Sequence, residues 1–284
     1  MGEGGLRTAR PGRVLICAGS DSGGGAGIQA DIKTVTALGG YAATAVTALT
    51  AQDTRGVQAV MGVPADFIRL QIRMVLADIG ADAIKTGMLA DAASIAAVCD
   101  SLAEHGAGIT LVADPVMVAK GGHRLLAADA VASLAERLLP MAALITPNLP
   151  EAEALVGFPV TDVTAMHRAA EALLRRGVRA VLLKGGHLDG AVLTDLLATP
   201  DGTESFESAR IESRSTHGTG CTLASAIACG LAQGLALRQA VRRGRAYVRA
   251  AMLSAPGLGR GHGPLGHGVT FDPARLRGWD DEAL

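Results

Sequence analysis

Short apolar, β-branched runs alternate along most of the chain with stretches whose apolar residues recur at helical spacing. Runs at 14–18, 44–51, 83–86, 110–113, 143–146 and 180–183 read as buried strands. Segments 28–38, 64–79, 91–105, 127–138 and 165–176 carry apolar positions three and four apart, the period of an amphipathic helix. Strand–helix alternation predicts a mostly parallel sheet, because each helix carries the chain back to the end where the previous strand began. After Gly190 the rhythm changes. Runs 191–199 and 204–211 flank Pro200-Asp201-Gly202-Thr203, which predicts a hairpin and an antiparallel edge. Two helices, 220–234 and 237–255, and a glycine-rich loop at 256–267 complete the pattern. The expected architecture is one α/β domain over residues 13–284, with a central sheet covered by helices on both faces. Residues 1–12 are expected to be a disordered tail.

Composition narrows the partners. With 49% apolar residues in 284, a large core is available, and a net charge of −1 provides no basic footprint for nucleic acid or an anionic membrane. Aromatic residues are only 2%, too few for a base-stacking platform. No run approaches the ~18 apolar residues of a membrane span, and the N-terminal stretch lacks the apolar centre of a secretory signal. Cys17, Cys99, Cys221 and Cys229 show no CxxC spacing, so reduced thiols in a cytoplasmic protein are expected. Of 26 basic residues only Lys33, Lys85, Lys120 and Lys184 are lysines. Lysine retained against that bias hints at places where a compact ammonium is needed.

Candidate chemistry sits just after strands, where open parallel sheets collect ligands. The first loop is AGSDSGGGAG, whose glycines permit close approach of backbone to ligand. Within it Gly25-Ala26-Gly27-Ile28-Gln29-Ala30 fits a dinucleotide fingerprint, with Asp53 as the acidic partner; a merely tight turn is the plainer alternative. Gln52 ends the second strand with a donor and an acceptor suited to an amino-substituted heteroaromatic ring, or it is an ordinary loop amide. Met88 and Val116 could wall a ring pocket or simply pack the core. Asp114 closes a strand and could face a metal or a phosphate. Asn148 and Glu151, three apart at a helix start, suit a cap and a Mg²⁺ site equally. Thr216-His217-Gly218-Thr219-Gly220-Cys221 opens a helix, so the N–H groups of Gly218, Thr219, Gly220 and Cys221 form an anion hole. The helix field there is expected to lower the Cys221 thiol pKa.

In order along the chain, AGSDSGGGAGIQADIKT, TALTAQDT, KTGML, DPVM, ITPNLPEAEAL, LLKGGH and THGTGCTLASAIA resemble the hydroxymethylpyrimidine/phosphomethylpyrimidine kinases of the ribokinase-like superfamily. The resemblance covers residues 14–267. It implies an enzyme of thiamine biosynthesis, dependent on ATP and Mg²⁺, that phosphorylates 4-amino-5-hydroxymethyl-2-methylpyrimidine and then its monophosphate. It further implies that Gln52, Gly19, Asp21, Asp31, Met88 and Val116 bind the pyrimidine. Lys184 would lie at the nucleotide phosphates, and Asn148, Glu151 and Asp114 would organise Mg²⁺. Cys221 would occupy the catalytic-base position, which holds Asp in most ribokinase-like enzymes. A homodimer is implied as well. A pyridoxal or pyridoxine kinase of the same superfamily is the close alternative, and a nicotinamide- or flavin-dependent oxidoreductase the distant one.

Overall fold

A computed structural model describes residues 11–117 and 130–271. The expected tail lies outside these residues apart from Pro11 and Gly12, as do Lys120 and the last thirteen positions. Among the described residues nine strands form one sheet in the order β3-β2-β1-β4-β5-β6-β7-β8-β9. β1 (Arg13–Asp21) pairs in parallel with both β2 (Tyr41–Asp53) and β4 (Ala83–Thr86). β5 (Thr110–Ala113), β6 (Leu144–Ile145) and β7 (Val181–Leu183) extend the parallel run. The hairpin of β8 (Val192–Thr199) and β9 (Gly202–Ala209) closes that edge antiparallel, as expected. The strand order reverses at β1, so the carboxyl end of β1 is the topological switch point where ligands gather.

Both sheet faces are covered, so the central strands are buried whichever way their side chains point. Val14, Ile16 and Ala18 of β1 face α1 (Gly27–Ala37), α7 (Thr219–Ala232) and α8 (Leu237–Leu253), packing against Val35, Ile227 and Val241. Leu15 and Cys17 face α2 (Ala65–Asp78), α3 (Ala92–His105), α5 (Leu149–Val156) and α6 (Val163–Arg175). This two-sided burial explains why the strands read as continuous apolar runs rather than alternations.

The structure differs from expectation in two places. β2 is longer than 44–51, and it turns back as β3 (Gly56–Gly62), an antiparallel strand at the other edge. β3 is mostly exposed and has no apolar–polar alternation, which left it without a period to detect. Asp53 makes the turn: its Oδ1 accepts the N–H groups of Arg55 (2.8 Å) and Gly56 (3.2 Å). The carboxylate that a dinucleotide reading would place on a ribose is therefore a turn-former. Helix 127–138 is α-helical only as α4 (Ala130–Ser133), then widens to a π-helical turn at Leu134–Leu138; residues 127–129 lie outside the described ones.

The glycine-rich segment ends in a 3₁₀ turn, His267–Thr270, docked under α7. His267 is buried, its Nε2 2.9 Å from Thr222 Oγ1, and its carbonyl accepts the Tyr247 hydroxyl at 2.7 Å. Burial, reinforced by the Lys33 charge, lowers its pKa to about 4. A histidine depressed below its unfolded value of about 6.5 contributes stability above that pH and loses it as pH falls toward 4. We expect unfolding free energy to drop by about 2 kcal/mol between pH 7 and 5 through this group. Urea titrations at the two pH values check it: His267→Gln should remove most of that pH dependence, and an unchanged slope would refute the assignment.

Candidate active site

α7 opens on a glycine that no other residue could replace without displacement. Gly218, its N-cap, has φ 81°, and a Cβ there would stand 1.9 Å from the Gly25 carbonyl oxygen. The last loop thus presses on the first, and the unpartnered N–H groups of the first α7 turn face the space between them. Lys184, immediately after β7, reaches the same space. Its Nζ donates to Asp114 Oδ1 at 3.0 Å and lies 4.0 Å from Glu151 Oε2. Asp114 Oδ1 also accepts from Thr146 Oγ1 at 2.8 Å, which fixes the carboxylate at the end of β5. A Cβ on Gly220 would come within 3.2 Å of Lys184 Nζ and 3.5 Å of Asp114 Oδ2. Ammonium, carboxylate and helix N-terminus therefore share one corner, an arrangement with the polarity that suits an anion.

Another part of the same cavity is lined by Gly19 and Met88. A Cβ on Gly19 would touch Met88 Sδ at 3.2 Å, so the absence of a side chain at 19 leaves the thioether as the wall. Val116 and the Gln52 amide line the same cavity of ≈ 890 Å³, which also contains the Lys184 corner. Asp21 anchors the glycine loop. Its Oδ1 accepts the Gly23 N–H (2.8 Å), and its Oδ2 accepts those of Gly25 (3.0 Å) and Ala26 (2.8 Å) and lies 2.9 Å from His217 Nε2. Burial alone would raise the Asp21 pKa; the bonds from His217, Gln52 and the backbone outweigh it and hold the carboxyl well below its usual range. His217 Nε2 is also 3.4 Å from Gln52 Nε2, linking the loop before α7 to the Gln52 amide.

A match to the family model described as phosphomethylpyrimidine kinase spans residues 21–266. The chain belongs to that family. It is 50% identical over 257 residues to the hydroxymethylpyrimidine/phosphomethylpyrimidine kinase of Rhizobium meliloti, covering 89% of this chain and 96% of that one. It is 52% identical over 266 residues to the thiamine biosynthesis bifunctional protein ThiED of Geobacter sulfurreducens, covering 94% of this chain but only 54% of that longer protein. In shape it resembles the ADP complex of Bacillus subtilis pyridoxal kinase, with a TM-score of 0.85, 36% identity and coverage of 91% and 98%.

Of the residues expected in the kinase site, all but Asp31 line the cavity. Asp31 is a correction. It is wholly buried on α1, and its oxygens accept bonds from Lys85 Nζ and Ser225 Oγ instead of facing the cavity. Cys221 is where expected, half-buried at the anion hole, yet its pKa moves opposite to expectation. Burial pushes the thiol up to about 11 against the helix field and the opposing Lys85 charge. Asn148 and Glu151 form a complete capping box, Asn148 Oδ1 accepting from Glu151 N (2.9 Å) and Glu151 Oε2 from Asn148 N (2.8 Å). Glu151 nonetheless lines the cavity beside Lys184. Burial and the Asp114 charge raise its pKa to about 7 despite Lys184. Sequence reasoning assigned no role to His217 or Thr146, although both stand inside motifs already singled out.

Proposed function

We propose that this chain transfers the γ-phosphoryl group of Mg–ATP to the hydroxymethyl group of 4-amino-5-hydroxymethyl-2-methylpyrimidine, and then a second one to the resulting monophosphate. The observation that carries this reading is one cavity lined both by Gly19, Met88, Val116 and Gln52 and by the first turn of α7, Lys184 and Asp114. The family's name supports the acceptor and the ADP complex of a structural neighbour supports the donor. The anion hole and Lys184 neutralise charge on the transferring group, and Cys221 takes the hydroxyl proton in the first transfer. In the second transfer the nucleophile is already an anionic phosphate and needs no base. An assay of purified protein with the pyrimidine alcohol and Mg–ATP, with both products identified, tests the reading; no transfer to the alcohol would end it. The likeness to a pyridoxal kinase makes pyridoxal the competitor to include, since it also bears a hydroxymethyl group on a heteroaromatic ring.

Mg²⁺ arrives with the nucleotide in this reading. Among the described residues no three His, Cys, Asp or Glu side chains converge as a metal cage, and Asn148 Oδ1 is engaged as a cap. Asp114 and Glu151 suit an ion held mainly by water and phosphate, the usual arrangement for Mg²⁺. Gln at position 151 would keep the capping box, since Gln serves at that position as well as Glu. Glu151→Gln should therefore raise the Mg²⁺ concentration for half-maximal activity by about tenfold while leaving the melting temperature nearly unchanged. Loss of stability with an unaltered Mg²⁺ titration would leave capping as its whole role.

Gln52 reads the aminopyrimidine edge. Gln52→Leu should raise KM for the pyrimidine by roughly 10- to 100-fold, because ligand polar groups lose their partners, with the KM for ATP little changed. Equal losses for both substrates would contradict that role. We also infer a homodimer. Leu49, Val60 and Met61 on the β2–β3 hairpin and Phe67, Leu70 and Met74 on α2 are exposed apolar side chains on adjoining elements, a surface suited to a second copy. Light scattering of the purified protein measures the mass directly. Among the described residues no helix is long and apolar enough to cross a membrane. With its cysteines free, the chain is placed by this reading in the cytoplasm, where ATP is supplied.

A further inference from the structure

Beneath the first turn of α7 lies a buried charge pair to which the phosphoryl-transfer reading assigns no role. Lys85, on β4, is 0% exposed, and its Nζ donates to both oxygens of Asp31 on α1 at 2.9 and 2.8 Å. Asp31 Oδ1 also accepts the Ser225 hydroxyl of α7 at 2.7 Å. Gly87 leaves room for the ammonium, since a Cβ there would stand 2.9 Å from Nζ. Three elements thus converge on one wholly buried ion pair. Such a pair is a poor device for stability alone, because apolar residues of similar volume hold a core equally well. Its position suggests a different use. Ser225 lies four residues after Cys221, one helical turn away on the same face of α7, so the thiol sits directly above the pair.

The charged groups acting on Cys221 are Lys85 from β4, Asp31 from α1, Asp114 from the end of β5 and Lys184 from the end of β7. Lys85 has the largest influence of the first three, and it favours the ionised thiol where the two carboxylates oppose it. We propose that the Lys85–Asp31 pair is a positioning element for the first phosphoryl transfer, holding a permanent positive charge beneath Cys221 that stabilises the thiolate needed to accept the substrate's hydroxyl proton. This rests on the reading of Cys221 as proton acceptor. In that step the thiolate sulfur takes the proton, the substrate oxygen bonds to the γ-phosphorus, and the bond from that phosphorus to the ADP oxygen breaks, so ADP leaves with the electron pair. Asp31 holds the ammonium in place, and Ser225 ties Asp31 to the helix that carries the thiol.

The test is the rate at which iodoacetamide alkylates Cys221, followed by mass spectrometry of its peptide from about pH 7 to 9, where the rate is proportional to the thiolate fraction. Lys85→Met with Asp31→Asn removes both charges yet keeps an acceptor for Ser225, and a neutral replacement of a buried pair is well tolerated. Alkylation of this double variant should be about tenfold slower at every pH, as should transfer to the alcohol, while transfer to the monophosphate is unchanged. Asp31→Asn alone leaves the Lys85 charge unopposed and should speed alkylation. Alkylation of the double variant at the wild-type rate or faster overturns the proposal, as does slowing of both variants together, which a merely structural tie would give. If Asp31→Asn does not fold, the double variant decides alone. Alkylation requires no turnover, so its outcome is separate from the fate of the base assignment, which Cys221→Ala examines.

Discussion

Lys184→Met is expected to lower kcat/KM by about 10³-fold for the pyrimidine alcohol and for its monophosphate alike, the scale seen when a cation facing a transferring phosphoryl group is removed. The geometry assigns no other described lysine to that corner. Lys184 Nζ stands 3.2 Å from where a Gly220 Cβ would be, against the N-terminus of α7. Its pKa is raised, because Asp114 and Glu151 outweigh the effect of burial, so the charge is present at any pH of interest. The substitution also leaves two buried carboxylates without their cation, a loss of about 3–5 kcal/mol where a pair is fully buried and less here, since the lysine is partly open to the cavity. Lys184→Met combined with Glu151→Gln restores part of the charge balance. It should melt higher than the single variant yet remain equally inactive. Recovery of activity in step with stability would reduce Lys184 to a structural role.

Cys221→Ala is expected to reduce transfer to the alcohol by about 10²-fold or more and to affect transfer to the monophosphate far less. Ala is well tolerated in a first helical turn, so the fold should survive. The pH dependence supplies an independent check. A base must be unprotonated to act, and a thiol pushed up to about 11 is almost wholly protonated near neutrality. The reactive fraction therefore grows about tenfold per pH unit below that value, so alcohol transfer should climb steadily as pH rises from about 7 to 9. Cys221→Ala should flatten the climb, and the monophosphate reaction should lack it in the wild type. The same shift makes Cys221 slow toward alkylators at neutral pH, the reverse of what its helix position alone suggests. Equal losses in both half-reactions would make Cys221 a shaper of the anion hole rather than a base.

Much of the fold was legible because both sheet faces are buried. Strands such as β1 and β7 then announce themselves by apolar runs, and the helices between them by their period. β3 was not legible, since an exposed strand that leaves the layered core needs no such pattern. The Asn148–Glu151 spacing signalled a helix start and a Mg²⁺ site equally well. Only the reciprocal hydrogen bonds, together with the proximity of Lys184, show that one carboxylate caps the helix and also stands beside the Lys184 ammonium.

Local sequence by itself determined the buried strands, the alternation of strand and helix, the glycines that loops require and the set of residues able to do the chemistry. Tertiary structure alone decided which of them meet and in what protonation state. Asp21 and Asp31 are both aspartates of one motif, yet one organises the glycine loop beside the cavity and the other neutralises Lys85 out of reach of it. Cys221 combines a helix N-terminus that favours its anion with burial that disfavours it, and burial wins. The physical reason is that hydrogen-bond partners and desolvation depend on residues such as Ser225 and Lys85, which lie far away in sequence and meet only when the sheet and its helices close together.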